Sequence, residues 1–411
     1  MKFKKVYNTK ELIIILFSFL SILYSTSFHY SNSPPNDTFE PGQFFVETSA
    51  EDGGDPIVDK YFSDYSLFYK HFFKDGKWTN DFHPRIMTGW NDMWKSTAMS
   101  KDNAYYILYA AYYGGLIDKI DYSVEGANSS MSVHKYRVLL PMIVGTISKI
   151  SKLSKKSKYE WSEKYISRIV YIYITLNFLF LLVTSFLFMF FLVNVFSFGK
   201  YLSFFGSILF LTLPIVTKSA GFPQAEPISL LTTLLIFISV YYRKSILFII
   251  FSALGLMIKD LFIYVVVLWF FNYSFSSIKN IKKTFLHIIT SIIPILIFIS
   301  IRIYFSDGTG LETRGSYDLL KGELPPWTVF GSPYYYLEKL FLVFTFLWIG
   351  IINLNKNAFL MKSSLTMLFI TFISLWIARG SGIERHVGMM FPIIIPLFLY
   401  FFYKKDLKFN K

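Results

Sequence analysis

The 411-residue chain contains no cysteine. Disulfides, thiolate catalysis and cysteine-ligated zinc are therefore excluded. No disulfide argues for a location outside the cytoplasm, so any such location must be argued from topology. The chain also lacks a Walker loop, a G-x-G-x-x-G after a strand, an H-E-x-x-H and a G-x-S-x-G. Nucleotide-driven chemistry in the cytoplasm has no seat here. The six histidines (His29, His71, His83, His134, His287 and His386) show no metal-ligand spacing. Charged residues are scarce, at 17%.

Apolar residues make up 53% of the chain and aromatic residues 20%, with 46 Phe. Runs of about eighteen or more apolar residues recur, and runs of that length read as membrane spans. The expected fold class is an all-α polytopic membrane protein with about ten transmembrane helices. The net charge of +14 is unevenly spread. Residues 28–135 hold 15 acidic and 9 basic side chains, a net of −6, so the rest carries +20. The basic residues sit in short loops and tails: Lys2, Lys4 and Lys5; Lys152, Lys155 and Lys156; Lys282 and Lys283; Lys404 and Lys405. That is the pattern in which Lys and Arg stay on the cytoplasmic side. No basic stripe interleaves with stacking aromatics, so nucleic acid is not an expected partner.

Four segments follow. Residues 1–28 form a cytoplasmic N-terminus and a first, uncleaved span, because Ser25-Thr26-Ser27 is a poor match to a signal-peptide cleavage pattern. Residues 29–135 form a long extracytoplasmic loop, with an irregular start over Ser31–Gly54 and a juxtamembrane helix expected over Tyr61–Phe73. Residues 136–403 form a multi-helix transmembrane domain, and 404–411 a basic cytoplasmic tail. Within the third segment, Phe198-Gly199-Lys200 punctuates a long apolar stretch, and Lys259-Asp260 interrupts another at 245–273. Two half-spans breaking at Lys259-Asp260 spare lipid a charged pair, and they keep Arg243-Lys244 inside with Glu226 outside. In the long loop, Ala104–Tyr113 reads as a helix ended by Gly114-Gly115, with Tyr105, Tyr109 and Tyr112 on one face. Asp102 then stands at its N-terminus, where a carboxylate is favoured by unpaired N–H groups.

The charged residues at expected span ends resemble an ordered set. Asp102, Tyr106, Ala110 and Gly114 are similar to the D-x-x-x-Y-x-x-x-A-x-x-x-G stretch of GT-C glycosyltransferases, which are polytopic enzymes using polyprenyl-phosphate sugars. Tyr136-Arg137-Val138-Leu139-Leu140-Pro141 looks like the opening of that family's second span. Ala225-Glu226-Pro227 looks like its short acidic loop, and Gly255 through Lys259-Asp260 like its G-x-x-x-K-[DE] short-helix pair. Glu384-Arg385-His386 ahead of Phe391-Pro392 resembles its late basic site. The matches run in family order over about residues 100–395. The first loop departs from the pattern: many members carry paired acids close after the first span, whereas Asp102 is single, stands beside Lys101 and comes some seventy residues later. That departure leaves a divalent cation requirement open.

The resemblance implies an inverting glycosyltransferase of the cytoplasmic (inner) membrane, with both termini cytoplasmic and its active site extracytoplasmic. It would take a polyprenyl-phosphate-linked sugar as donor and a glycan, lipid or protein acceptor, alongside membrane lipid. Surface-polysaccharide or lipopolysaccharide assembly is the expected setting. Asp102 would be the catalytic base. Arg385, Lys259 and Arg137 would hold the donor phosphate, and Glu226, Asp260, Tyr106 and His386 would contact substrate. No nucleotide cofactor and no protein-bound metal set is expected. Each residue also has a plainer reading. Asp102 as an N-cap, Arg137 as a snorkelling side chain, Lys259 and Asp260 as mutually neutralising, and Glu226 as a solvated loop residue all fit the local sequence. Two other functions stand beside the first: an O-antigen-type polymerase or ligase, and a non-enzymatic lipid or glycan transporter (flippase).

Overall fold

The computed structural model describes residues 7–29, 43–46, 73–74, 77–78, 96–99, 101–117, 137–151, 163–221, 223–259, 262, 267–273, 280–305, 343–377 and 387–409. Helices dominate. In chain order come α1 (Thr9–His29), β1 (Gln43–Val46), β2 (Phe73–Lys74), β3 (Lys77–Trp78), β4 (Ser96–Met99), α2 (Lys101–Tyr113), α3 (Leu139–Ile150), α4 (Glu163–Phe196), α5 (Lys200–Leu211) and α6 (Pro214–Ser219). Then follow α7 (Glu226–Tyr241), α8 (Ser245–Ile258), α9 (Val267–Tyr273), α10 (Ile281–Phe305), a 3-10 helix (Thr345–Lys356), α11 (Ala358–Ile377) and α12 (Phe391–Phe409). The long loop pairs β1 with β4 in parallel and β2 with β3 antiparallel. Of the helix expected over Tyr61–Phe73, residues 61–72 lie outside the described residues, and Phe73 begins β2.

Among the described residues, two helices are long and apolar enough to cross a membrane: Arg168–Phe196 within α4 and Ile281–Ile301 within α10. At 1.5 Å per residue the 25 residues of α10 reach about 38 Å, more than the hydrocarbon core of a bilayer. Only 17% of the α10 segment is buried, and Ile281, Phe285, Leu286, Leu296 and Ile303 stand open along it. Water-soluble proteins rarely leave so long an apolar surface uncovered. Other apolar helices, such as α3, α5, α7 and α8, are shorter.

The chain divides into two compact units. One comprises Met1–Ile22, Phe180–Val216 and Glu226–Lys411; the other comprises Leu23–Leu179 and Thr217–Ala225.

In the second unit, α2 is buried on every side from Tyr105 to Ala111. Tyr105 and Tyr109 are enclosed, while Tyr112, further along the same face, is exposed. Its end is the glycine stop expected. Gly115 takes φ +71°, its N–H donates to the Tyr112 carbonyl, and the Leu116 N–H reaches back to Ala111. Helix α3 packs against this end. A Cβ on Gly145 would come within 2.6 Å of the Ala110 carbonyl oxygen and 2.7 Å of the Gly114 nitrogen, so only glycine fits. The Tyr173 hydroxyl of α4 donates to the Tyr106 carbonyl at 2.7 Å and fixes α2 from another side.

In the first unit, the helix break expected at Phe198-Gly199-Lys200 falls between α4 and α5, where Ser197 adopts φ +57°. Helix α1 opens with a reciprocal cap. The Glu11 N–H donates to Asn8 Oδ1 and the Asn8 N–H donates to Glu11 Oε2, satisfying two orphan donors. Phe19 then stacks on Phe204 of α5 and meets Phe186 of α4 edge-on. Phe391 of α12 closes on Phe188 and Phe210, with ring centroids 5.0 and 4.5 Å away. These contacts form an aromatic core in which large rings replace the leucines of an ordinary bundle.

Candidate functional site

Helix α7 is buried around almost its whole circumference, which marks a central helix. Its polar side chains are accommodated by bonding back to their own helix: Thr232 donates to the Ile228 carbonyl and Ser239 to that of Leu235. The helix ends at a tight corner. Arg243 takes a left-handed φ of +54°, and the Lys244 N–H donates to the Ser239 carbonyl. Helix α8 runs back along α7. Lys259, which ends α8, is thereby returned to the level of Glu226, which begins α7.

There the two meet. Lys259 Nζ donates to Glu226 Oε1 at 2.5 Å, with only 8% and 5% of the two side chains exposed. Glu226 occupies the first turn of α7, where unpaired N–H groups favour a carboxylate, and Pro227 suits the same turn because it has no N–H to lose. Lys259 is extended (φ −152°, ψ 139°), so α8 stops at it. At 14 residues α8 is about 21 Å long, too short to cross a bilayer alone. Beyond Lys259 the chain doubles back. The Phe262 N–H donates to the Lys259 carbonyl, and the Phe262 ring lies over Gly255, where a Cβ would strike it. Trp269 of α9 then packs on Phe248 near the start of α8. The break expected at Lys259 is therefore present, and the glycine four residues before it has a physical purpose, since it makes room for the ring that turns the chain.

The solvated reading of Glu226 does not hold. Lys259 is neutralised by Glu226 across 33 residues of sequence. Asp260, Arg385 and His386 lie outside the described residues. Asp102 falls in the first turn of α2, which begins at Lys101; its backbone is helical rather than that of an N-cap, and its side chain lies outside the described residues. Tyr106 is buried within α2, and Arg137, just ahead of α3, is half-buried with its Nε shut off from solvent. Among the described residues no three His, Asp or Glu side chains gather as a metal site would require.

No family model matches the chain, and none of the curated proteins or solved structures is similar to it.

Proposed function

We propose that the chain is a polytopic membrane enzyme of GT-C type, with about ten spans, that transfers a sugar from a polyprenyl-phosphate donor to an acceptor at the extracytoplasmic face of the cytoplasmic membrane. The buried Glu226–Lys259 pair is the observation that carries this reading. Withdrawing an ammonium and a carboxylate from water costs several kcal/mol per ion, and apolar residues would pack α7 on α8 as well or better. Ionised side chains kept at such depth in apolar helices mark substrate paths. Glu226 holds the Lys259 side chain in place by their hydrogen bond. A phosphate can draw on the same ammonium by a charge-assisted hydrogen bond, and its negative charge grows as the sugar departs.

The reaction balances simply. The acceptor hydroxyl oxygen bonds to the anomeric carbon, the bond from that carbon to the phosphate oxygen breaks, and polyprenyl phosphate leaves. The hydroxyl proton passes to the Asp102 carboxylate, because a sugar hydroxyl is a poor nucleophile until it is deprotonated. Direct displacement inverts the anomeric centre. In this reading Arg385 and Arg137 are assigned to the leaving phosphate, and Tyr106, Asp260 and His386 to the substrate.

The test is incorporation of labelled sugar from a polyprenyl-phosphate donor by the purified full chain, comparing the natural sequence with Asp102→Asn and with the double variant Glu226→Gln/Lys259→Met. The double variant removes both charges of the pair together and is expected to fold while losing transfer by at least about a hundredfold, as when one stabilising donor is lost. Undiminished transfer in either variant overturns the assignment. Movement of intact donor across the bilayer with no bond formed would replace it with a transporter.

A further inference from the structure

The far end of the same hairpin carries a second group of side chains that sugar transfer does not use. Arg243, held at the corner between α7 and α8, lies over the Tyr273 ring at 5.6 Å. Tyr273 is fixed in turn: its hydroxyl donates to the Val240 carbonyl, and its ring stacks on the His287 imidazole at 5.4 Å. Trp269 Nε1 donates to His287 Nδ1 at 3.3 Å. With Nδ1 accepting, the neutral imidazole carries its proton on Nε2 and presents an N–H donor. The charges of Arg243 and Lys283 both bear on this imidazole. Lys283 is placed by the first turn of α10, where its N–H donates to Asn280 Oδ1. Lys244 and Lys282 are exposed beside them. Among the described residues, none of these four cations pairs with a carboxylate.

Apolar surface flanks the cations. Ile246 at the start of α8, and Ile281 and Phe285 at the start of α10, are 73%, 84% and 63% exposed. Cations bordered by open aliphatic and aromatic side chains match a molecule with a phosphate at one end and hydrocarbon at the other. A free phosphate would have no use for the apolar border. We propose that this end of the hairpin is a binding site for the phosphate of an anionic membrane lipid. Arg243 and Lys283 supply charge, and His287 Nε2–H supplies a directional donor. The site requires that the chain be embedded in a membrane and owes nothing to the sugar-transfer reading. Its position opposite Glu226–Lys259 separates the two physically: α8 alone sets them about 20 Å apart.

The experiment is native mass spectrometry of the detergent-solubilised full chain equilibrated with phosphatidylglycerol or phosphatidylcholine. The natural chain is expected to retain phosphatidylglycerol over phosphatidylcholine. Arg243→Asn removes the charge while asparagine tolerates the left-handed backbone, and Lys283→Gln changes an exposed side chain. Each is expected to lower phosphatidylglycerol retention about fivefold, and the pair more, with phosphatidylcholine unchanged. Should Arg243→Asn lose its fold, seen as a lowered unfolding midpoint, Lys283→Gln alone decides. Equal retention of the two lipids overturns the site, as does retention unmoved by the substitutions. Displacement of phosphatidylglycerol by equimolar glycerol phosphate also overturns it, since a soluble phosphate would then suffice. Loss of sugar transfer in the Glu226→Gln/Lys259→Met variant with lipid retention intact would leave this site standing alone.

Discussion

Two ion pairs each tie two helices together, and they differ mainly in how far they are withdrawn from solvent. Glu11 and Lys200 join α1 to α5 with about a third of each side chain exposed. Glu226 and Lys259 join α7 to α8 and are almost sealed. The exposed pair gives up little hydration and gains little from its Coulomb attraction. It also has a local explanation, because Glu11 already closes the cap on α1. The sealed pair gives up the hydration of both charges, and helix packing does not require it. An arrangement that costs free energy and holds nothing that apolar groups would not hold points to what the charges do. The contrast supports the proposed role of the second pair and offers none for the first.

The sharpest way to break this comparison is to remove half of the sealed pair. Lys259→Met removes the Glu226 carboxylate's partner on α8 and is expected to cost about 3–5 kcal/mol, read as a large fall in the unfolding midpoint in detergent. Adding Glu226→Gln to it should recover most of that loss. If the single variant is as stable as the natural chain, the pair is solvated and the contrast fails. The next effect lies in the turn that delivers Lys259. Gly255→Val drives a branched side chain into the Phe262 ring and should cost about 1–3 kcal/mol. It should also lower sugar transfer, although it touches neither charge.

Much of this was legible in the chain. Apolar runs placed the helices, and punctuation located their ends. Phe198-Gly199 parts α4 from α5, Gly114-Gly115 stops α2, and a charge at Lys259 halts α8 because lipid and apolar packing both penalise it. The pairing of Lys259 was not legible. Asp260 is its neighbour in sequence, whereas Glu226 becomes its neighbour only through the corner at Arg243, and no glycine announces that left-handed residue. The burial of α2 was hidden for a related reason. Its tyrosine spacing tells which residues share a face but not whether that face is covered, and what covers it includes the close approach of α3, licensed by Gly145 some thirty residues on. The strand pairing of β1 with β4 was likewise out of reach, because its partners are separated by a long irregular stretch.

The exposed pair supplies the smaller tests. The Tyr7 hydroxyl donates to the Lys200 carbonyl at 2.7 Å, so Tyr7→Phe should cost about 1 kcal/mol at neutral pH. Burial, and then the nearby Glu11 charge, push the Tyr7 phenol well above its ordinary range. A phenol raised in the folded state contributes stability below its unfolded pKa and loses it as pH climbs. The natural chain should therefore lose its advantage over Tyr7→Phe above about pH 10, as followed by unfolding midpoints across that range. Smallest of all is Lys200→Gln, which should barely move the midpoint at physiological salt. Its dependence on salt is the informative part. Mobile ions reach a pair that is a third exposed and screen it, so whatever Lys200→Gln costs at low salt should vanish as salt is raised. They do not reach a pair that is 5–8% exposed, so the loss caused by Lys259→Met should persist under the same titration. Two salt titrations that fall together would mean that water and ions enter both pairs alike, and Lys259 would have no better claim to a reactive role than Lys200.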